Sequence, residues 1–179
     1  MLPRLIGVLK LDIATYEEIE HDSTAISQAA AIVGVVALAQ AIAQLGNPDF
    51  HAIATPLGSL IGAFIGWWIG SWVVFKVGTE LFKGEADHGE MLRVMGFAQA
   101  PVMLAALTPI PMVGPFLALA GGIWALVTGF IAIRQGLDIS NTQTVFTILA
   151  AGLVYLMVFV GIAMLAGMLL VSLGLAAGA

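Results

Sequence analysis

Two short runs gather the side chains able to hold a metal ion or carry a proton. In "YEEIEHD", Glu17 and His21 stand four residues apart, so a helix sets a carboxylate and an imidazole one turn apart on one face. Divalent metals use that spacing on helices. The second run holds Glu80, Glu85, Asp87, His88 and Glu90. Acidic runs on exposed segments are as a rule solvated, so no metal and no other cofactor is expected, and Glu17, His21, Asp87 and His88 are only the candidate ligands. As a surface for docking another protein, the acidic rim has more to offer.

Other chemistry is largely excluded. No HExxH, Walker A or GxGxxG pattern occurs. The histidines, at 21, 51 and 88, all fall in loops or at interfaces, so a serine nucleophile at membrane depth has no base. The absence of cysteine removes disulfides, thiolate metal sites and haem attachment. No catalytic residue is assigned and no enzyme is expected. A net charge of -5 offers no basic surface for nucleic acid.

The elements that position these runs are membrane helices. Of the 179 residues, 60% are hydrophobic and 9% charged, whereas a soluble domain is about one-quarter charged. Continuously apolar stretches of roughly 20 residues cross a hydrocarbon core, and five are read: about 23–45, 55–77, 91–108, 115–133 and 142–175. The alternation of a membrane barrel is missing. The expected fold is an all-α integral membrane protein, a five-transmembrane-helix bundle over 23–179. Residues 1–22 precede it as a cytoplasmic segment, in which Leu2, Leu5, Ile6, Leu9, Ile13 and Tyr16 recur at helical spacing as an amphipathic interfacial helix. Five acids in "LDIATYEEIEHD" argue against a cleaved signal peptide.

Basic residues set the orientation. Arg4, Lys10, Lys76, Lys83, Arg93 and Arg134, all six in the chain, fall on one side if the N-terminus is cytoplasmic and the C-terminus outside. The other side carries a single charge, Asp49. No ionisable residue is expected well inside a span, where it would signal transport or catalysis.

Within the second span, "GSLIGAFIGWWIG" places Gly58, Gly62, Gly66 and Gly70 at successive i, i+4 positions. Small residues at that spacing let helix backbones approach closely in lipid, so these glycines are the expected helix-packing surface, whether toward another span or toward a second chain. In the third span Gln99 stands before Pro101. A mid-span proline frees a backbone carbonyl that something must satisfy, which makes Gln99 and Pro101 a candidate polar crevice.

The run "FKGEADHGEMLRVMGFAQAPVML" resembles the Yip (Ypt-interacting protein) domain family, with the glycine-aromatic pair Gly96 and Phe97 and the proline five residues on, Pro101. "IWALVTGFIAIRQGLDISNTQT" is similar to the fourth-span exit of bacterial members, with Trp124, Arg134, Leu137, Asp138 and Ser140 in place. The resemblance implies a multi-pass protein without catalysis. Eukaryotic relatives engage small GTPases, but their Asp-Leu-Tyr-Gly-Pro motif and long N-terminal tail have no counterpart here. GTPase binding is therefore not carried over, and the reading is a prokaryotic-type member in the cytoplasmic membrane. The expected role is a scaffold or adaptor whose partners are the lipid bilayer and itself or other membrane proteins. The alternatives are a small transporter or channel for a neutral or lipidic solute, and an accessory subunit of a larger membrane complex.

Overall fold

A computed structural model describes residues 1–172; all its regular structure is helical, with no strand among the described residues. In chain order the elements are α1 (Leu2–Leu9), α2 (Ile13–His21), α3 (Ala25–Ala43), α4 (Ala54–Phe82), α5 (His88–Ala98), a 3₁₀ segment (Ala100–Leu107), α6 (Val113–Gly136) and α7 (Asn141–Ser172). Five stretches are long and apolar enough to cross a membrane: Ala25–Ala43, Ala54–Phe82, His88–Leu107, Val113–Gly136 and Asn141–Leu169. Residues 173–175 of the fifth expected span lie outside the described residues.

The third stretch is a composite, and Pro101 is the cause. Proline has no N–H to donate. In the 3₁₀ pattern that follows α5, the Ala98 carbonyl faces Pro101 and loses its donor. Thr128 of α6 supplies it, its Oγ1 standing 2.7 Å from the Ala98 carbonyl oxygen. The freed carbonyl anticipated from the proline thus exists, and a neighbouring hydroxyl satisfies it.

Around this break the helices close on small residues. α3 is the central element, in contact with α4, α5 and the 3₁₀ segment. Its Ala25, Ala29, Ile32, Val33, Val36 and Ala37 are buried. Phe97, Met91 and Val94 of α5 pack into the same core. Gly96 lets α5 approach α3: a Cβ there would stand 2.7 Å from the Ala29 Cβ and 3.2 Å from Trp67 Nε1. Gly121 does the same for α6, where a Cβ would meet the Pro101 carbonyl at 2.5 Å. Trp67 locks α4 to α5 by donating to the Leu92 carbonyl at 2.9 Å.

The N-terminal segment differs from the single amphipathic interfacial helix expected over 1–22. It is two helices folded into a hairpin, because Leu11 takes a left-handed φ of 61° and Gly7 admits Thr15 at close range. Arg4 of α1 holds the hairpin shut through Glu18 at 2.8 Å and Asp22 at 2.6 Å. The hairpin lies along the bundle. Tyr16 Oη is 3.3 Å from the Thr128 carbonyl, and Trp124 Nε1 donates to the Leu9 carbonyl at 3.1 Å.

At the same end, the loop after α4 and the loop after α6 meet: the Glu85 N–H donates to the Leu137 carbonyl at 3.0 Å. Lys83, which ends α4 with a left-handed φ of 60°, and Arg134 therefore share one end of the molecule.

The contacts at Gly96 predict that Gly96→Val, which drives a branched side chain into α3, lowers stability by about 1–3 kcal/mol or more. Gly58→Val, where no atom of the described residues lies within 4 Å of a Cβ, should leave stability nearly unchanged. Thermal unfolding in mild detergent checks the pair.

Candidate functional site

At the charged end, α2 presents two faces. Tyr16, Ile19 and Glu20 are buried toward α5 and α6, Glu17 is half-buried, and Glu18 and His21 are exposed. Burial of Ile19 and Tyr16 is ordinary hydrophobic packing. Burial of Glu20 is not: its side chain is carried inside by helical spacing alone, and the residue is 4% exposed with Oε2 lacking any hydrogen-bond partner.

The backbone around Glu20 has a cation of its own. Arg93 of α5 is buried and donates to the carbonyls of Ile19, at 3.3 Å, and Glu20, at 2.9 Å. Those carbonyls belong to the last turn of α2, where no intrahelical donor remains and the helix dipole is negative. Arg93 lies in the third membrane-length stretch, tolerated because it sits near the charged end and its guanidinium is met by carbonyls.

The Glu20 carboxyl itself makes no ion pair, and its pKa is pushed up to about 7. Burial is the main cause, reinforced by the charges of Asp138, Glu17 and Glu90, with His21 opposing them. Among the described residues the ion pairs are Arg4–Glu18, Arg4–Asp22 and Lys76–Glu80, so Glu17, Glu20, Glu90 and Asp138 are all left without one.

Glu17 and His21 do come together, as their spacing suggests, and Glu20 joins them: one ligand atom of each lies within 4.8 Å of the others. Gln135 Nε2 donates to Glu17 Oε1 at 2.7 Å, fixing that carboxylate from α6. His21 Nδ1 lies 2.8 Å from the Glu17 carbonyl, which only accepts, so Nδ1 carries the hydrogen. That bond, with the charge of Glu20 next, raises the His21 pKa.

Asp87 and His88 are not part of this group. Asp87 caps α5, its Oδ1 accepting from Glu90 N at 2.8 Å while its own N–H donates to Glu90 Oε2 at 2.6 Å. His88 sits against the rings of Trp68 and Phe75, with centroids 5.4 and 6.3 Å away. Proximity in sequence to other acids reflects a cap and an aromatic contact, not a ligand set.

The polar crevice expected at Gln99 and Pro101 is also different. A cavity of about 460 Å³ does lie beside Pro101, but Leu9, Ala100, Met103, Leu104, Ala120 and Trp124 line it, and Gln99 does not. Thr128 has already taken the freed carbonyl, which leaves the cavity apolar.

On α4, nothing among the described residues stands within 4 Å of a Cβ at Gly58, Gly62 or Gly70, and of them Gly66 meets only the Tyr155 hydroxyl, at 3.3 Å. An apolar cavity of about 240 Å³ separates α4 from α7 there, between Gly62, Gly66 and Tyr155 among others.

Three important residues escaped the sequence reading. Glu20 was legible in principle, since it lies four residues from Tyr16 on the buried face. Arg93 and Gln135 carried no such signal, because their partners are contributed by a different helix.

Sign and size of a pH effect follow from Glu20. A carboxyl whose folded pKa is raised binds its proton more tightly when folded, so its stabilising effect is full below its ordinary value near 4.5 and is lost as pH rises through about 7. In chelator-treated protein, thermal stability should fall from pH 5 to pH 8 by on the order of 1–3 kcal/mol. Glu20→Gln should remove most of that slope; an unchanged slope would reject the assignment.

No curated protein and no solved structure matches the chain. A family model does: the Yip1 domain aligns with residues 13–164, from the start of α2 into α7, and takes in Glu17, Glu20, Arg93, Gly96, Phe97, Pro101, Arg134 and Asp138. With most of its length so matched, the chain belongs to the Yip1 domain family.

Proposed function

We propose that the protein is a non-catalytic membrane scaffold or adaptor that associates, through its α4–α7 face, with a second membrane helix, its own or another protein's. The observation that carries this reading is the bare backbone of α4. In lipid, where hydrophobicity does not drive helices together, glycine faces are where backbones pack closely, yet among the described residues Gly58, Gly62 and Gly70 have no neighbour within 4 Å of a Cβ position. α7, the helix beside them, is itself little covered: 6% of the residues in its most apolar stretch are buried, against 44% for α3.

The charged end belongs, on this reading, in the cytoplasm of a prokaryotic cell. By sequence, all six basic residues fall in or beside the segments assigned to that side, and the pairing of the Glu85 and Leu137 loops supports the arrangement. The acidic residues there form the surface offered to soluble partners. The solute-pathway alternative loses support from the apolar lining beside Pro101.

Because the chain has no cysteine, any introduced thiol is unique. Gly58→Cys, Gly62→Cys and Gly70→Cys should give disulfide-linked dimers or mixed adducts in native membranes under mild oxidation. Leu126→Cys, exposed on α6, serves as the control. Monomer alone at all three glycine positions would overturn the association. In whole cells, an impermeant maleimide should label Asn47→Cys and spare Lys83→Cys and Asp138→Cys; the inverse pattern would reverse the orientation.

A further inference from the structure

We propose that the last turn of α2 binds one divalent transition-metal ion through Glu17, Glu20 and His21. The three ligand atoms already lie within 4.8 Å of one another, from positions i, i+3 and i+4 of one helix. Convergence of acidic groups is common without an ion, so the weight falls on a separate fact. Glu20 belongs to this group, is 4% exposed, and its Oε2 meets no donor. Leaving a carboxylate oxygen buried and unpartnered is expensive unless a proton or a cation meets it, and above neutral pH only the cation is left to do so.

The surroundings are built as metal sites usually are. The Nδ1–H of His21 is held by the Glu17 carbonyl at 2.8 Å, which leaves Nε2 of the neutral ring with its lone pair, and such a bond to the non-ligating nitrogen is the common orienting contact of metal-bound histidine. Gln135 reaches from α6 to hold one oxygen of Glu17 at 2.7 Å, leaving the other for a metal. Net local charge also favours a cation. Glu17, Glu20, Glu90 and Asp138 have no ion pair among the described residues, and the nearby Arg93 directs its donors to backbone carbonyls.

Two carboxylates and one imidazole define the class. Imidazole selects against magnesium and calcium, which prefer all-oxygen shells, and suits zinc or manganese, with water completing the coordination.

The test uses the full-length protein in mild detergent, stripped with chelator and titrated calorimetrically with Zn²⁺, Mn²⁺, Mg²⁺ and Ca²⁺ at slightly alkaline pH. One Zn²⁺ should bind per chain, raising the thermal midpoint. His21→Ala, at an exposed position that leaves the core intact, should weaken binding roughly tenfold or more and abolish the thermal shift. Glu20→Gln should do likewise, while His88→Ala, which lies elsewhere, should bind as the parent does. Absence of saturable Zn²⁺ binding would overturn the proposal. So would affinity unchanged in His21→Ala, or Mg²⁺ or Ca²⁺ bound as tightly as Zn²⁺.

Discussion

A single carbonyl, that of Ala98, governs the shape of the membrane domain. A backbone oxygen without a donor costs several kcal/mol in hydrocarbon, and Pro101 removes the N–H that would have met this one. Thr128 replaces it from another helix. The replacement requires α6 to lie against the break, and Gly121 is what permits that approach, its missing side chain leaving room for the Pro101 carbonyl. Once α6 is placed, its Thr128 carbonyl and Trp124 indole are in position to receive the hairpin through Tyr16 and Leu9. Break, helix contact and hairpin thus form one chain of dependence.

The same type of contact recurs where other helices join. Trp67 to Leu92, Trp124 to Leu9 and Arg93 to Ile19 and Glu20 all place a side-chain donor on a main-chain carbonyl. Interactions of this kind suit lipid, because the acceptor is a dipole rather than a charge and no second ion has to be desolvated. Carboxylate-to-cation pairs, by contrast, are confined to the hairpin and to the solvent end of α4. Glu20 is the exception that the helix turn forces: burying Tyr16 and Ile19 swings its carboxyl inward with them.

How far the sequence reaches depends on the range of each interaction. Five membrane-length stretches are visible from hydropathy because burial in lipid is a property of each residue alone. The need for a donor near Pro101 is visible too, since the missing N–H is local. Which residue answers it is not, for Thr128 is brought there by packing across 30 positions of chain. The hairpin was hidden for a related reason: Leu11 has no sequence mark of a left-handed turn, and the clamp by Arg4 onto Glu18 and Asp22 spans 14 and 18 residues. Asp87 and His88 looked like ligands because composition does not distinguish a capping carboxylate from a coordinating one.

The glycines separate into two populations that sequence spacing fails to rank. Gly96 and Gly121 follow no zipper pattern, yet both are filled to the limit by α3 and by the 3₁₀ segment. The regular set on α4 has the strongest pattern and the emptiest surroundings. Tyr155 of α7 stands between the two helices there: its hydroxyl comes within 3.3 Å of where a Gly66 Cβ would stand, beside the cavity bounded by Gly62 and Phe159. On the proposed reading, that bare helix face takes an occupant supplied from outside the chain, so the α4 surface would bear on association rather than on the stability of the fold.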